Sequence, residues 1–132
     1  MAKKTKTLGK LKQEAQVVFN AYIRERDKDQ PCISTNQYCE KGDCGHFFSV
    51  KGYDSLRYNE DNAHKESVYS NRYDESQLIG YRDNLLNRIG QERFDALYER
   101  ADQYKKNGYK FTRSELMEIK QYYQTKLNEL KH

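Results

Sequence analysis

Three short stretches near the middle of the chain hold the residue types that phosphodiester chemistry needs. They are Asp43-Cys44-Gly45-His46, Asn59-Glu60-Asp61-Asn62-Ala63-His64 and Ser67-Val68-Tyr69-Ser70-Asn71. A histidine on a strand, an Asn and a His on a loop, and an Asn at a helix start can surround one point. There a neutral imidazole takes a proton from water while a divalent cation shields the phosphate and the leaving oxygen. Oxygen ligands with a single imidazole suit Mg²⁺ or Mn²⁺ better than a structural zinc. A plainer account stands beside this one. A lone histidine is commonly a surface or hydrogen-bonded residue, and Asn62 and Asn71 suit turns or helix caps. Asp43 beside two glycines suits a turn, residues 59–62 suit a solvated loop, and Cys32, Cys39 and Cys44 suit buried thiols.

The elements that must position these residues follow from periodicity. Residues 9–27 read as a helix, with Leu11, Ala15, Val18 and Tyr22 flanked by Phe19 and Ile23 at helical spacing. It must stop before Pro31, which disfavours helical geometry at Gln30. His46-Phe47-Phe48-Ser49-Val50 reads as a strand between glycine-containing turns, and Leu56-Arg57-Tyr58 as a second short strand of a hairpin. Helical patterning resumes near Ser67. Leu78, Ile79, Leu85, Leu86 and Ile89 form an apolar stripe that ends at Gly90. Phe94, Leu97, Tyr98, Ala101 and Tyr104 mark a further helix ending near Gly108. Thr112-Arg113-Ser114-Glu115 is a capping box opening a last helix, with Leu116, Ile119, Tyr123, Leu127 and Leu130 on one stripe.

Charge is distributed unevenly. The 132 residues carry 24 Lys and Arg against 20 Asp and Glu. Five of the lysines (Lys3, Lys4, Lys6, Lys10 and Lys12) fall in residues 1–12, which hold no acid; the rest has 19 basic and 20 acidic residues. A uniformly basic, histone-like protein is thereby excluded, and a short arm able to find phosphate or an acidic partner remains. A mean hydropathy of −1.19 with no long apolar run argues against a membrane span, and no apolar region follows the lysines to make a secretory signal. Three cysteines without an export signal do not suggest a disulfide scaffold.

The order of motifs is similar to that of the bacteriophage recombination endonucleases called NinG or Rap, relatives of the HNH (ββα-metal) nucleases. The resemblance runs from about Phe19 to Arg100. It rests on Tyr22-Ile23-Arg24-Glu25-Arg26-Asp27, Pro31-Cys32-Ile33-Ser34, Asp43-Cys44-Gly45-His46-Phe47, the run from Leu56 to His64, Asn71-Arg72, Tyr81-Arg82 and Ile89-Gly90. No one piece is specific, but their order and spacing together are.

The resemblance implies an α+β, mostly helical fold with a small ββα-metal hairpin-plus-helix core between N- and C-terminal helices. The implied layout is a basic arm over 1–12, an HNH-like domain over 13–110 and a C-terminal helix over 111–132. It implies His46 as general base, Asn62 as the residue that holds the hairpin loop and orients the base, and Asn71 as a ligand for Mg²⁺ or Mn²⁺. Asp43 and His64 are further candidate ligands. On a regular strand Asp43 and His46 face opposite ways, so a bulge at Gly45 is expected. Arg57 and Arg72 are candidate phosphate clamps, each equally readable as a surface charge, and Lys3, Lys4, Lys6, Lys10 and Lys12 add salt-sensitive grip. One departure stands out. Family members usually carry two C-x-x-C pairs binding a structural zinc, whereas the corresponding positions read Cys32, Thr35, Ser67 and Ser70. The knuckle is expected to be metal-free and held by hydrogen bonds or packing. The expected function is a metal-dependent endonuclease acting on branched DNA in the cytoplasm of a phage-infected or prophage-bearing bacterium, as a homodimer and without membrane association. The rival reading is a non-catalytic nucleic-acid-binding recombination accessory protein that keeps the scaffold. A third is a protein-interaction module whose lysine arm docks an acidic partner.

Overall fold

The computed structural model describes residues 5–72 and 77–132, with the side chain of Arg72 outside that set. Five helices and a two-stranded antiparallel sheet follow in the order α1 (Leu8–Arg26), β1 (Asp43–His46), β2 (Ala63–Glu66), α2 (Val68–Arg72), α3 (Gln77–Ile89), α4 (Gln91–Asn107) and α5 (Arg113–Lys131). Thr7 caps α1, its hydroxyl accepting the Lys10 N–H at 3.1 Å. The capping box expected at Thr112 is present: the Glu115 N–H donates to the Thr112 hydroxyl, and the Thr112 N–H to the Glu115 carboxylate, both at 3.1 Å. Gly90, at φ +86°, takes the left-handed turn between α3 and α4 that a side chain would resist.

Helix α5 packs along α1 in the same direction. Lys120 pairs with Glu14, the Tyr123 ring meets Phe19 and Tyr22, and Lys126 lies over Tyr22. Leu116, Tyr123 and Leu127 thus share one core with Leu11, Ala15, Phe19 and Ile23. This covers Leu116, Ile119, Tyr123 and Leu127 of the expected stripe, while Leu130, in the last turn of α5, stays 45% exposed. Tyr81, Leu85 and Ile89 of α3, with Phe94, Leu97 and Ala101 of α4, form a second core over Ile33 and Leu56. The sheet lies between the two, Cys44 and Ala63 facing α1 and Gly45 facing Tyr81.

The strands differ from the expectation. The ladder pairs Asp43 with Glu66, Cys44 with Lys65, Gly45 with His64 and His46 with Ala63. Strand β1 therefore ends where it was expected to begin. Phe47 and Phe48 leave the ladder because their rings pack against the second core, and Asn62 supplies partners for their backbone N–H groups. Leu56 closes a 3-10 turn opened by Asp54, with Arg57 bonded back to the Asp54 carboxylate, so residues 56–58 are not a strand. Leu78 and Ile79, expected in the α3 core stripe, are 47% and 72% exposed. They lie on the first turn of α3, which borders an open cleft instead of packed side chains. The arm is also shorter than expected, since Lys10 and Lys12 already belong to α1. Among the described residues no helix is long and apolar enough to cross a membrane.

Candidate functional site

His46 stands at the end of β1, half-buried, its ring 6.1 Å from that of Phe19. Its Nε2 lies 3.0 Å from the Arg57 carbonyl oxygen. A carbonyl only accepts, so Nε2 carries the proton and Nδ1 the lone pair. Burial lowers the pKa of this imidazole; the Arg57 carbonyl opposes that and the Arg57 charge adds to it, leaving a net lowering. At neutral pH His46 is therefore a free base. It borders an open cleft of about 620 Å³ whose other walls include Phe48, Tyr53, Leu78, Ile79 and Arg82.

Asn62 is fully buried. Its Oδ1 accepts the Phe48 N–H at 2.8 Å, and its Nδ2 donates to the carbonyls of Phe48 at 3.0 Å and Leu56 at 3.2 Å. These bonds close the loop between the strands, and the Asn62 carbonyl takes the Phe47 N–H at 2.9 Å. Asn62 positions the segment that follows His46 and the one that supplies the Arg57 carbonyl.

Asn71, on α2, donates from Nδ2 to Asp43 Oδ2 at 3.2 Å. The ladder has one residue opposite one throughout, so the expected bulge at Gly45 is absent and Asp43 and His46 face opposite sides of the sheet. Neither Asp43 nor Asn71 lines the cleft beside His46. Gly45 has a different reason to be glycine: the Glu66 carboxylate lies directly over it, where a Cβ would collide.

His64 does not join Asp43 and Asn71. It is 3% exposed, with Nδ1 3.4 Å from the Tyr81 hydroxyl, and burial pushes its pKa down to about 3, the Arg26 charge adding to the effect. No group of three or more His, Cys, Asp and Glu side chains able to hold an ion occurs among the described residues. Of the candidate ligands, Asp43 and Asn71 do meet, but through an Asn71 N–H, so the amide would have to turn for both to offer oxygen to a hard cation.

The candidate phosphate contacts divide. Arg57 is engaged inside the fold, with Nη1 2.9 Å from Asp54 and Nε 2.9 Å from Gln16. Lys6 pairs with Glu14 at 3.0 Å and Lys12 with Asp54 at 2.7 Å. Lys10 is exposed on α1; Lys3, Lys4 and the side chain of Arg72 lie outside the described residues. The positions Cys32, Thr35, Ser67 and Ser70 are linked by hydrogen bonds. Cys32 Sγ accepts the Ser67 N–H at 3.2 Å, and Ser67 Oγ accepts the Ser70 N–H at 3.1 Å. Burial raises the Cys32 pKa, but hydrogen bonds from Ser67, Thr35 and Ser34 outweigh it and the thiol ends below its ordinary value. Cys44, deep against α1, is pushed up to about 12 by burial.

The family model described as Bacteriophage Lambda NinG protein matches this chain over residues 1–132. The chain belongs to the NinG family. It is 38% identical over 120 residues to the ninG proteins of Escherichia phage 933W and Escherichia phage lambda, and 37% identical over 119 residues to that of Salmonella phage P22. These alignments cover 90%, 90% and 89% of this chain but 57%, 56% and 56% of the relatives, so the chain spans little more than half their length. No solved structure matches it.

Within this NinG chain, sequence reasoning missed the residues that hold the hairpin in place. Asp27 is buried, and its Oδ2 accepts the Lys65 N–H at 3.0 Å. Arg26 donates to the Ala63 carbonyl at 2.8 Å and the Glu60 carbonyl at 3.2 Å. The Tyr81 hydroxyl donates to the Gly45 carbonyl at 2.7 Å. Adjacent opposite charges at a helix end before a proline were the available signal for Arg26 and Asp27. Glu66 had no such signal, because β2 has little strand propensity of its own.

Proposed function

We propose that this protein is a metal-dependent, HNH-like DNA endonuclease of phage recombination, structure-specific for branched DNA such as Holliday junctions or D-loops. The observation that carries the reading is His46: a neutral imidazole with its tautomer set by the Arg57 carbonyl, at the edge of an open cleft. In the reaction, His46 Nδ1 receives the proton of the attacking water. Asn62 holds the Phe48 backbone and the Leu56 carbonyl, which keeps the loop carrying the Arg57 carbonyl in register with the imidazole. Asp43 and Asn71, on the sheet face opposite His46, would hold Mg²⁺ or Mn²⁺, and such an ion would neutralise charge on a bound DNA phosphate. Lys10, with Lys3 and Lys4, adds sequence-independent contact to the DNA backbone. Paired nicks at a junction call for two active sites and hence a homodimer, whose contact would lie outside Leu116, Tyr123 and Leu127, which are buried on α1.

A second reading, a non-catalytic DNA-binding accessory protein, is favoured by one observation: Asp43 and His46 project from opposite faces of the sheet. Labelled four-way junction and linear duplex DNA, incubated with Mg²⁺ or Mn²⁺, separate the two. Wild type is expected to cut the junction, and His46→Ala to cut at least about 100-fold more slowly, the scale of a removed general base. DNA shifted but not cut by wild type gives the accessory reading. Equal cutting by His46→Ala removes His46 from the mechanism.

A further inference from the structure

The two most exposed apolar residues of α3, Leu78 and Ile79, sit side by side on its first turn and border the same cleft as His46. Burying them would normally reward the fold, and the rest of α3 does bury its apolar face. The same cleft is lined by aromatic rings, Phe48 packing 4.8 Å from Tyr53. Arg82, one turn along α3, is the cation that lines the cleft among the described residues. Outside it, Lys105 of α4 donates to the Gly52 carbonyl at 3.1 Å and stands 4.4 Å from the Tyr53 ring centre. Asp83 also lines the cleft and is paired with Arg82 at 3.8 Å. A volume of about 620 Å³ falls in the range of clefts that take small aromatic ligands.

Adjacent aliphatic side chains and aromatic walls in the cleft that holds His46 match one partner chemistry, a partly unstacked base step. We infer that Leu78 and Ile79 form a wedge that enters an opened base step of branched DNA and lets one base lie against Phe48 and Tyr53 beside His46. The inference rests on the DNA-endonuclease reading and adds a source of junction preference that requires no base-specific hydrogen bond. A step already loosened at a branch point costs less to open than one in continuous duplex, so the wedge selects structure over sequence.

A four-way junction carrying 2-aminopurine at the branch point, with a linear duplex of the same sequence beside it, tests this in Ca²⁺ or without metal. Wild type is expected to raise the 2-aminopurine fluorescence of the junction. Leu78→Ser with Ile79→Ser is expected to abolish the rise and weaken junction binding roughly ten-fold. Leu78→Met with Ile79→Met keeps both, and Val17→Ser, an exposed apolar position on α1, changes neither. A rise that survives in the double serine variant overturns the wedge, as does wild-type binding without any rise. Loss of self-association in the double serine variant, with its DNA response intact, assigns the cleft to a second copy and also overturns it. Failure of wild type to bind either DNA overturns the nuclease reading itself, and the wedge with it.

Discussion

His46 and His64 are both uncharged at neutral pH, for the same physical reason and with different consequences. Burial lowers both pKa values, but His46 borders a cleft and turns Nε2 to a carbonyl, whereas His64 is enclosed between the hairpin and Tyr81. For His64 the folded value of about 3 lies below the unfolded value near 6.5. Above pH 6.5 both states are neutral there and nothing is lost. Between pH 6.5 and 3 the unfolded chain binds a proton that the folded chain does not, so stability falls as pH falls, by up to about 1.4 kcal/mol per unit. His46 adds to the same slope in the same direction. Urea unfolding of His64→Gln at pH 7, 6 and 5 is expected to show a shallower decline in stability than wild type. An identical slope would mean that His64 is not enclosed as described.

At the scale of elements, hydrogen bonds tie the turn over Cys32–Gln37 to the segment that opens α2. The Cys32 backbone N–H donates to the Gln37 carbonyl and its Sγ accepts from Ser67, while Ser70 bonds to Ser67. Since the four positions are already linked by hydrogen bonds, Thr35→Cys, Ser67→Cys and Ser70→Cys together are expected to create a tetrahedral thiolate site. Cobalt titration should then give the absorption bands of a four-sulfur site, and zinc should raise the melting temperature of the triple variant alone. Absence of both would show that the two segments are not held at ligand spacing. These elements were only partly legible from sequence. Helices α1, α4 and α5 were, because stripes such as Leu11, Ala15, Phe19 and Tyr22 and the Thr112 cap are local signals. Strand β2 was not: Ala-His-Lys-Glu acquires its extended form from Arg26 and Asp27 holding its backbone, partners at the end of α1 that lie 37 and 38 residues away.

For the whole molecule, the basic N-terminus is less of a free arm than its sequence suggests. Lys6 and Lys12 are engaged by Glu14 and Asp54, and Thr7 and Leu11 are needed by α1 as cap and core. Truncating residues 1–12 would therefore confuse removal of charge with a damaged helix, and substitution is the cleaner perturbation. Lys3, Lys4 and Lys10 changed together to Ala are expected to reduce the slope of log affinity against log salt on duplex DNA by about 2 to 3, near 0.9 for each phosphate no longer neutralised. An unchanged slope would place the DNA-binding charge elsewhere. What the sequence determined by itself was its local chemistry: the excess of lysine at one end, the helical stripes and their caps, and the order of motifs from Tyr22 to Gly90 that marks a NinG chain. Which residues meet was decided only by tertiary structure. Strand alternation sends Asp43 and His46 to opposite faces, the hydrogen bonds of Asn62 end β1 early, and the overhang of α3 leaves Leu78 and Ile79 exposed beside His46. Each outcome depends on partners distant in sequence, and spacing along the chain carries no record of them.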